Sequence, residues 1–316
     1  MTSKQVIRLD QLGSQEVPAA FKAESYFDFH AHPFEHSSLL TTTKDVIQAI
    51  ASIEQYARQW LGQTIQTRLA DETTSKAVYR DSLPGGGQAH GHFEIVIESG
   101  AFFDPAAIIG SARQRNRIYV CAGARLIGAH LWPADGEIFI GPGTVVEPGA
   151  GIKGPAIIGH DNQLRQGAYL RGSVIIGNGG VFRGEIKNAV MMDGANFPHP
   201  SYVGDSLCGY KTHFGNQAGT ANLGLFYPLG RKSNVIIELD GRLYDLGRPK
   251  VGIILGDYCQ VGCNTVTAPG TFLGPHTVVY PLAPLPKGVR PAERLIKFKP
   301  DLQETRFDRT FGQHTT

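Results

Sequence analysis

Residues 185 to 222 read EIKNAVMMDGANFPHPSYVGDSLCGYKTHFGNQAGTAN, so Lys187, His199, Tyr202, Asp205, Thr220 and Asn222 share one glycine-rich stretch. An imidazole titrates near neutral pH and can take a proton from an amine or hydroxyl. A lysine offers an anion a point charge, and an arginine such as Arg171, just upstream, offers a planar fork. Taken alone, Pro198-His199-Pro200 reads as a structural corner. Two His-x-His pairs, His30/His32 and His90/His92, could each place two imidazoles on one strand face around a divalent metal. Short motifs of that kind match freely. Surface or packing histidines are the plainer reading, and no metal site is expected.

The elements that would position these groups show in a period. Every sixth residue from Ile140 is apolar: Ile140, Val146, Ile152, Ile158, Leu164, Leu170, Ile176 and Phe182. That period is neither the 2 of a strand nor the 3.6 of a helix. It is the mark of a parallel β-helix, whose stacked coils share one core. Glycine follows at Gly141, Gly159 and Gly177, where corners need a permissive backbone. The phase returns in Leu255, Val261, Thr267, Leu273 and Val279, and upstream Ile109-Gly110 and Ile127-Gly128 lie three hexads apart. Between the two clean runs it slips, through Met191, Phe197, Val203 and Phe214. The repeat is expected over 95–280, and it occupies the space that a metal-binding α/β barrel of about 250 residues would need.

The remainder divides around that block. In residues 1–94, positions 43–67 predict an amphipathic helix with Val46, Ile50, Ile53, Ala57, Trp60 and Leu61 on one stripe. Thr42 or Thr43 would cap it, and Asp45 suits its first turn. This region is expected to close the coil end or to build a trimer. Residues 223–252 form an excursion, with Tyr227-Pro228-Leu229-Gly230 and a hairpin signal at Asp240-Gly241. Residues 281–316 form a proline-rich, non-repeat tail with Arg294, Lys297 and Lys299.

Composition narrows the function. Charged residues are only 18% and Gly is 39 of 316, as suits a solenoid with glycine corners. A net charge of +2 and the absence of basic runs interleaved with aromatics argue against nucleic acid. No apolar run approaches the ~18 residues of a membrane span. Cys121, Cys208, Cys259 and Cys263 form no CxxC pair and read as free thiols of a reducing cytosol, and the first residues show no apolar leader.

The motif stretch resembles the acetyltransferase domain of the bifunctional enzymes that make UDP-N-acetylglucosamine. It also resembles the matching domain of archaeal sugar-1-phosphate nucleotidylyltransferases. The likeness rests on Glu185-Ile186-Lys187, His199 twelve residues after Lys187, Tyr202, Gly204-Asp205, Gly219-Thr220, Asn222 and the hairpin GRLYDLGRPKVGIILGD. It covers roughly residues 140–285. It implies a left-handed β-helix of triangular three-hexad coils, assembled as a homotrimer, that transfers an acetyl group from acetyl-CoA to an amino sugar phosphate. Glucosamine 1-phosphate is the first acceptor to consider. By the same resemblance His199 is the base, and Arg171, Lys187, Tyr202, Asn222 and Arg248 or Lys250 hold the acceptor. Ala218, Thr220 and Cys263 lie by the thioester, and Lys297 or Lys299 by the 3′-phosphate of CoA. The prolines beside His199 depart from the family, as does His213, where asparagine is common. The first 100 residues carry no glycine-rich nucleotide loop with a following lysine, so no pyrophosphorylase activity is expected. The alternatives are a non-catalytic sugar-phosphate- or nucleotide-binding β-helix, an acyltransferase on a nucleotide-linked amino sugar, and, more remotely, a metal-dependent hydrolase using His30 and His32.

Overall fold

The computed structural model describes residues 5–300, apart from 226, 228, 231 and 232. Pro228 of the excursion and residues 301–316 of the tail therefore lie outside the described residues. The chain winds into a solenoid of about 11 turns with three faces of parallel strands. Successive hexad residues sit on successive faces. Ile140 belongs to Ile138–Ile140 on the first face, Val146 to Val145–Val146 on the second and Ile152 to Gly151–Lys153 on the third. Ile158 then lies directly over Ile140, one coil on. All four side chains are fully buried in the prism.

The slipped phase has a local cause. Ile138 pairs with Ala156 and Ala156 with Val174, each 18 residues on, but Val174 pairs with Ala189 and Ala189 with Ser206. Those coils save residues at their corners. One shortened corner holds Gly184, where a Cβ would overlap the Phe197 ring. In this part of the solenoid two long strands, Glu185–Met191 and Tyr202–Cys208, run from the third face onto the first. They bend at Asn188 and Asp205, whose φ values of 47° and 49° suit the left-handed region that Asn and Asp tolerate.

Part of the N-terminal region lies at the coil end, where Tyr79 and Leu83 pack against the prism core, but most of it covers a flank. Helix Val46–Ala70 lies along the flank of the first face, and the strand Lys76–Arg80 pairs antiparallel with Phe93–Glu98 beside the first coils. The reason is the outward side of the first-face strands. Tyr119, Phe139, Ile157, Ile175, Val190, Leu207, Ile254 and Phe272 are apolar there and need a cover. Ile50, Ile53, Ala57, Leu61 and Ile65 of the helix supply it, each fully buried, and each of the four larger side chains contributes roughly 1.5–3 kcal/mol on burial. Residues 9–40 extend the cover, with the Phe21 ring edge-on to Tyr244 at 5.4 Å and to Phe272 at 5.6 Å. Asp45 caps the helix, accepting the Gln48 N–H at 2.7 Å, in place of Thr42 or Thr43. The excursion forms the hairpin Ile236–Leu239 and Arg242–Asp245 about Asp240-Gly241, and Val6–Arg8 adds to it in parallel.

His36 lies inside this cover, 2% exposed, with Nδ1 3.2 Å from the Tyr56 hydroxyl and its ring edge-on to Trp60. Burial pushes its pKa down to about 4. The native state therefore refuses a proton that the unfolded chain accepts near pH 6.5. The site's contribution is complete above that pH and is lost as pH falls toward 4, about 3 kcal/mol in all. In urea titrations the stability gap between wild type and His36→Gln should narrow over that window. A constant gap would show that the ring takes up its proton without cost.

Candidate active site

The sequence-predicted residues fall into two groups, one on the third face and one along a prism edge. On the third face Tyr169–Arg171 pairs with the start of Glu185–Met191, and that with the start of Tyr202–Cys208, so Arg171, Lys187 and Tyr202 occupy three consecutive rungs. Leu170, Ile186 and Val203 point into the core, which turns their neighbours outward. Arg171 Nη1 donates to Glu185 Oε1 at 2.5 Å, which raises the arginine pKa further and leaves the rest of the fork available. Lys187 is half-buried and has no ion-pair partner among the described residues.

Where the third face bends into the first, Asp205 gathers the next residues. It is 5% exposed. Its Oδ2 accepts Asn222 Nδ2 at 2.6 Å, and its Oδ1 accepts Asn188 Nδ2 at 2.9 Å and Arg248 Nη2 at 3.1 Å. Asn222 Nδ2 also donates to the Tyr202 hydroxyl at 3.0 Å, and Tyr202 has a raised pKa from burial first and the Asp205 charge second. Burial lowers the Arg248 pKa while Asp205 opposes that shift, and Arg248 Nη1 is buried with no hydrogen-bond partner among the described residues. Arg248 and Lys250 line a cleft of about 540 Å³ with Lys44, Asp45 and Gln48 of the N-terminal region. Asn188, which the sequence reading did not single out, joins this network through Asp205. The signal was present, because Asn188 follows Glu185 and Asp205 follows Tyr202 at the same interval.

The second group follows the edge between the second and third faces. His199 occupies the turn from Asn196–Phe197 to Tyr202–Cys208 and is half-buried. His213 is on the next rung, opposite Asn196, and burial, then the charge of His199, lower its pKa. Cys263 follows Gln260–Val261, the rung beyond His213–Phe214, and stands over Gly215, where an added Cβ would come within 3.0 Å of Sγ. Lys297 ends the series two rungs further, with Nζ 4.9 Å from the centre of the Tyr280 ring. At ~4.8 Å per rung, His199, Cys263 and Lys297 span roughly 19 Å of one edge. Ala218 and Thr220 are spoken for. Ala218 is buried in the core with its N–H on Gly215 O at 3.0 Å, and the Thr220 hydroxyl accepts the Gly204 N–H at 3.3 Å.

The two histidine pairs take other roles. His32 stacks on Tyr210 at 4.1 Å, His30 lies near the surface, and His92 Nδ1 is 3.2 Å from Asp81 Oδ2. Among the described residues no three His, Cys, Asp or Glu side chains stand together as metal ligands.

All four cysteines are free, and Cys263 alone is not buried. Burial pushes Cys121 and Cys259 up to about 12, and Cys208 higher still. The thiolate is the reactive form. A disulfide reagent should therefore titrate one thiol per native chain and all four in denaturant. Fast labelling of Cys121 or Cys259 would contradict the packing described.

No family model matches the chain. It is similar to the bifunctional sugar-1-phosphate nucleotidylyltransferase/acetyltransferase of Sulfurisphaera tokodaii, 34% identical over 97 residues, which is 31% of this chain and 23% of that protein. It is similar to the bifunctional protein GlmU of Methanococcus maripaludis, 33% identical over 95 residues, 30% of this chain and 22% of that one. It is 30% identical over 148 residues to the uncharacterized acetyltransferase YaiX of Escherichia coli, covering 46% of this chain and 62% of YaiX. The chain thus spans less than a quarter of the length of the two bifunctional relatives. The first and third of these relatives are acetyltransferases by name, in part and in whole. The solenoid of short parallel strands is consistent with a hexapeptide-repeat β-helix acyltransferase.

Proposed function

We propose that the protein is an acetyl-CoA-dependent N-acetyltransferase for an amino sugar phosphate, with glucosamine 1-phosphate the first acceptor to test, working in the cytoplasm as a homotrimer. The observation that carries this reading is the placement of Arg171, Lys187 and Tyr202 on consecutive rungs beside the edge that holds His199. The names of two of the relatives support the acetyl-transfer part of it.

The residues divide the work. Arg171 and Lys187 hold the acceptor phosphate, and Tyr202 and Asn222 its sugar. Asp205 orients Asn222 and Arg248, with Lys250 at the rim of the cleft. The sugar ammonium must shed a proton before it can attack, and His199 takes it. The free amine then adds to the thioester carbonyl, and a backbone N–H of the glycine-rich corner steadies the oxyanion. Because the N–H of Ala218 is engaged within its own turn, that donor is a neighbouring amide. As the intermediate collapses the C–S bond breaks and the C–N bond remains; the departing CoA thiolate takes the proton held by His199, and the surplus proton on the new amide nitrogen then passes through the freed imidazole to water. The pantetheine arm lies along the edge past Cys263, with Lys297 or Lys299 near the 3′-phosphate. Nothing in this sequence calls for a metal, so a chelator should leave the rate unchanged.

The test is release of CoA from acetyl-CoA with glucosamine 1-phosphate, alongside a thermal shift with acetyl-CoA alone. A ligand of the folded state at a hundred times its Kd adds about 2.7 kcal/mol of stability. No shift and no release would leave a non-catalytic binding solenoid as the better reading.

A further inference from the structure

The third face continues below Arg171 with more of the same chemistry. Lys153 lies one rung down, opposite Arg171, and Trp132 one rung below Lys153. With Lys187 above, three cations stand one per rung at ~4.8 Å spacing. Among the described residues Lys153 has one ionic partner, Asp135 at 3.1 Å, itself 59% exposed, so the pair is weak. Beside the cations runs an aromatic column. His130, Gly151 and Tyr169 share a register, the Trp132 and Tyr169 ring centres are 6.3 Å apart, and the His130 ring lies within 24° of parallel to Trp132. Gly151 lets the two rings close over the strand. A Cβ would come within 3.1 Å of both Trp132 Cζ3 and Tyr169 Cδ2.

A sugar monophosphate held by Arg171 and Lys187 would leave Lys153 and this platform unused. A second phosphate linked to the first would reach Lys153. A planar ring attached beyond it would meet Trp132, where base–aromatic stacking tolerates any base. We infer that the third face binds a nucleoside diphosphate, with the diphosphate on Lys187, Arg171 and Lys153 and the base on the Trp132–Tyr169–His130 platform. The acceptor is then an amino sugar carried on that diphosphate. This rests on the acetyl-transfer reading of the same face. From the Gly151 rung to the Tyr202 rung is roughly 14 Å at that spacing, which puts base, diphosphate and sugar in order toward His199.

The site is tested by calorimetry with UDP, dTDP, CDP and GDP as probes, at saturating CoA so that the CoA site is filled, and with inorganic pyrophosphate for comparison. At least one nucleotide should bind more tightly than pyrophosphate. Trp132→Ala should weaken that nucleotide roughly tenfold or more while leaving pyrophosphate unchanged. Lys153→Ala should weaken both. Gly151→Ala, which displaces the rings without deleting them, should repeat the Trp132 result if Trp132→Ala folds poorly. The inference fails if no nucleotide outbinds pyrophosphate, or if Trp132→Ala and Gly151→Ala bind nucleotide like wild type. It also fails if these substitutions only dissociate the oligomer, which would make the platform a contact between copies. Failure of the transfer reading looks different. Trp132-dependent nucleotide binding without CoA release from any amino sugar keeps the nucleotide site and removes the transferase. CoA release with glucosamine 1-phosphate and no nucleotide binding does the reverse.

Discussion

His199→Ala should lower the rate of CoA release by about 10²–10⁴-fold, the usual worth of a positioned general base, with little change in the affinity for acetyl-CoA. The side chain sits in a surface turn, half-buried, and its ring makes no hydrogen bond among the described residues, so the protein should unfold at the wild-type urea concentration. The loss would then be chemical and not structural. His213 should stay neutral at pH 7, since burial and the nearby His199 both lower its pKa. It would therefore not substitute as a second charge against the incoming ammonium. Equal rates for wild type and His199→Ala would remove this residue from the mechanism and leave the edge as a structural corner.

Asp205→Ala should cost about 3–5 kcal/mol of stability, as expected when one member of a buried charge network is removed. It should also raise KM for the acceptor. The carboxylate takes hydrogen bonds from Asn188, Asn222 and Arg248, which come from three separate parts of the chain. Without it Arg248, already disfavoured as a cation by burial, loses its counter-charge, and Asn222 loses the contact that fixes it against Tyr202. Lys187→Ala is the contrasting case. That lysine has no ionic partner among the described residues, so its loss should leave the urea midpoint within the usual surface range of about 0.5 kcal/mol and act on KM alone. An Asp205→Ala protein with unchanged midpoint would show that the bend at the third face holds itself without the network.

Much of the fold was legible because a parallel β-helix repeats its steric problem in every coil. Ile140, Val146, Ile152 and Ile158 must each enter the same narrow core, so the six-residue period announces the prism before any contact is known. The Asp240-Gly241 hairpin and the amphipathic helix were legible for similarly local reasons, the helix shifting by three residues because Asp45 caps it. The candidate site was legible as a set of residue types. The interval between Lys187 and His199 was visible in the chain, but not the fact that one faces outward from a flank and the other turns at an edge.

What the sequence determined by itself is therefore the prism, since the hexad core is made of contacts that repeat at nearly fixed separations along the chain. What only the tertiary structure decided is how distant segments meet. Phe139, Ile157 and Ile175 were plainly apolar, yet nothing local could say that residues 9–65, and not a second chain, would cover them. Nor could any local pattern bring Arg248 to Asp205 across 43 residues of excursion, or set Trp132 two rungs below Arg171. Such contacts depend on where whole faces lie once the coils have stacked, and that is settled by burial of apolar surface over the entire molecule.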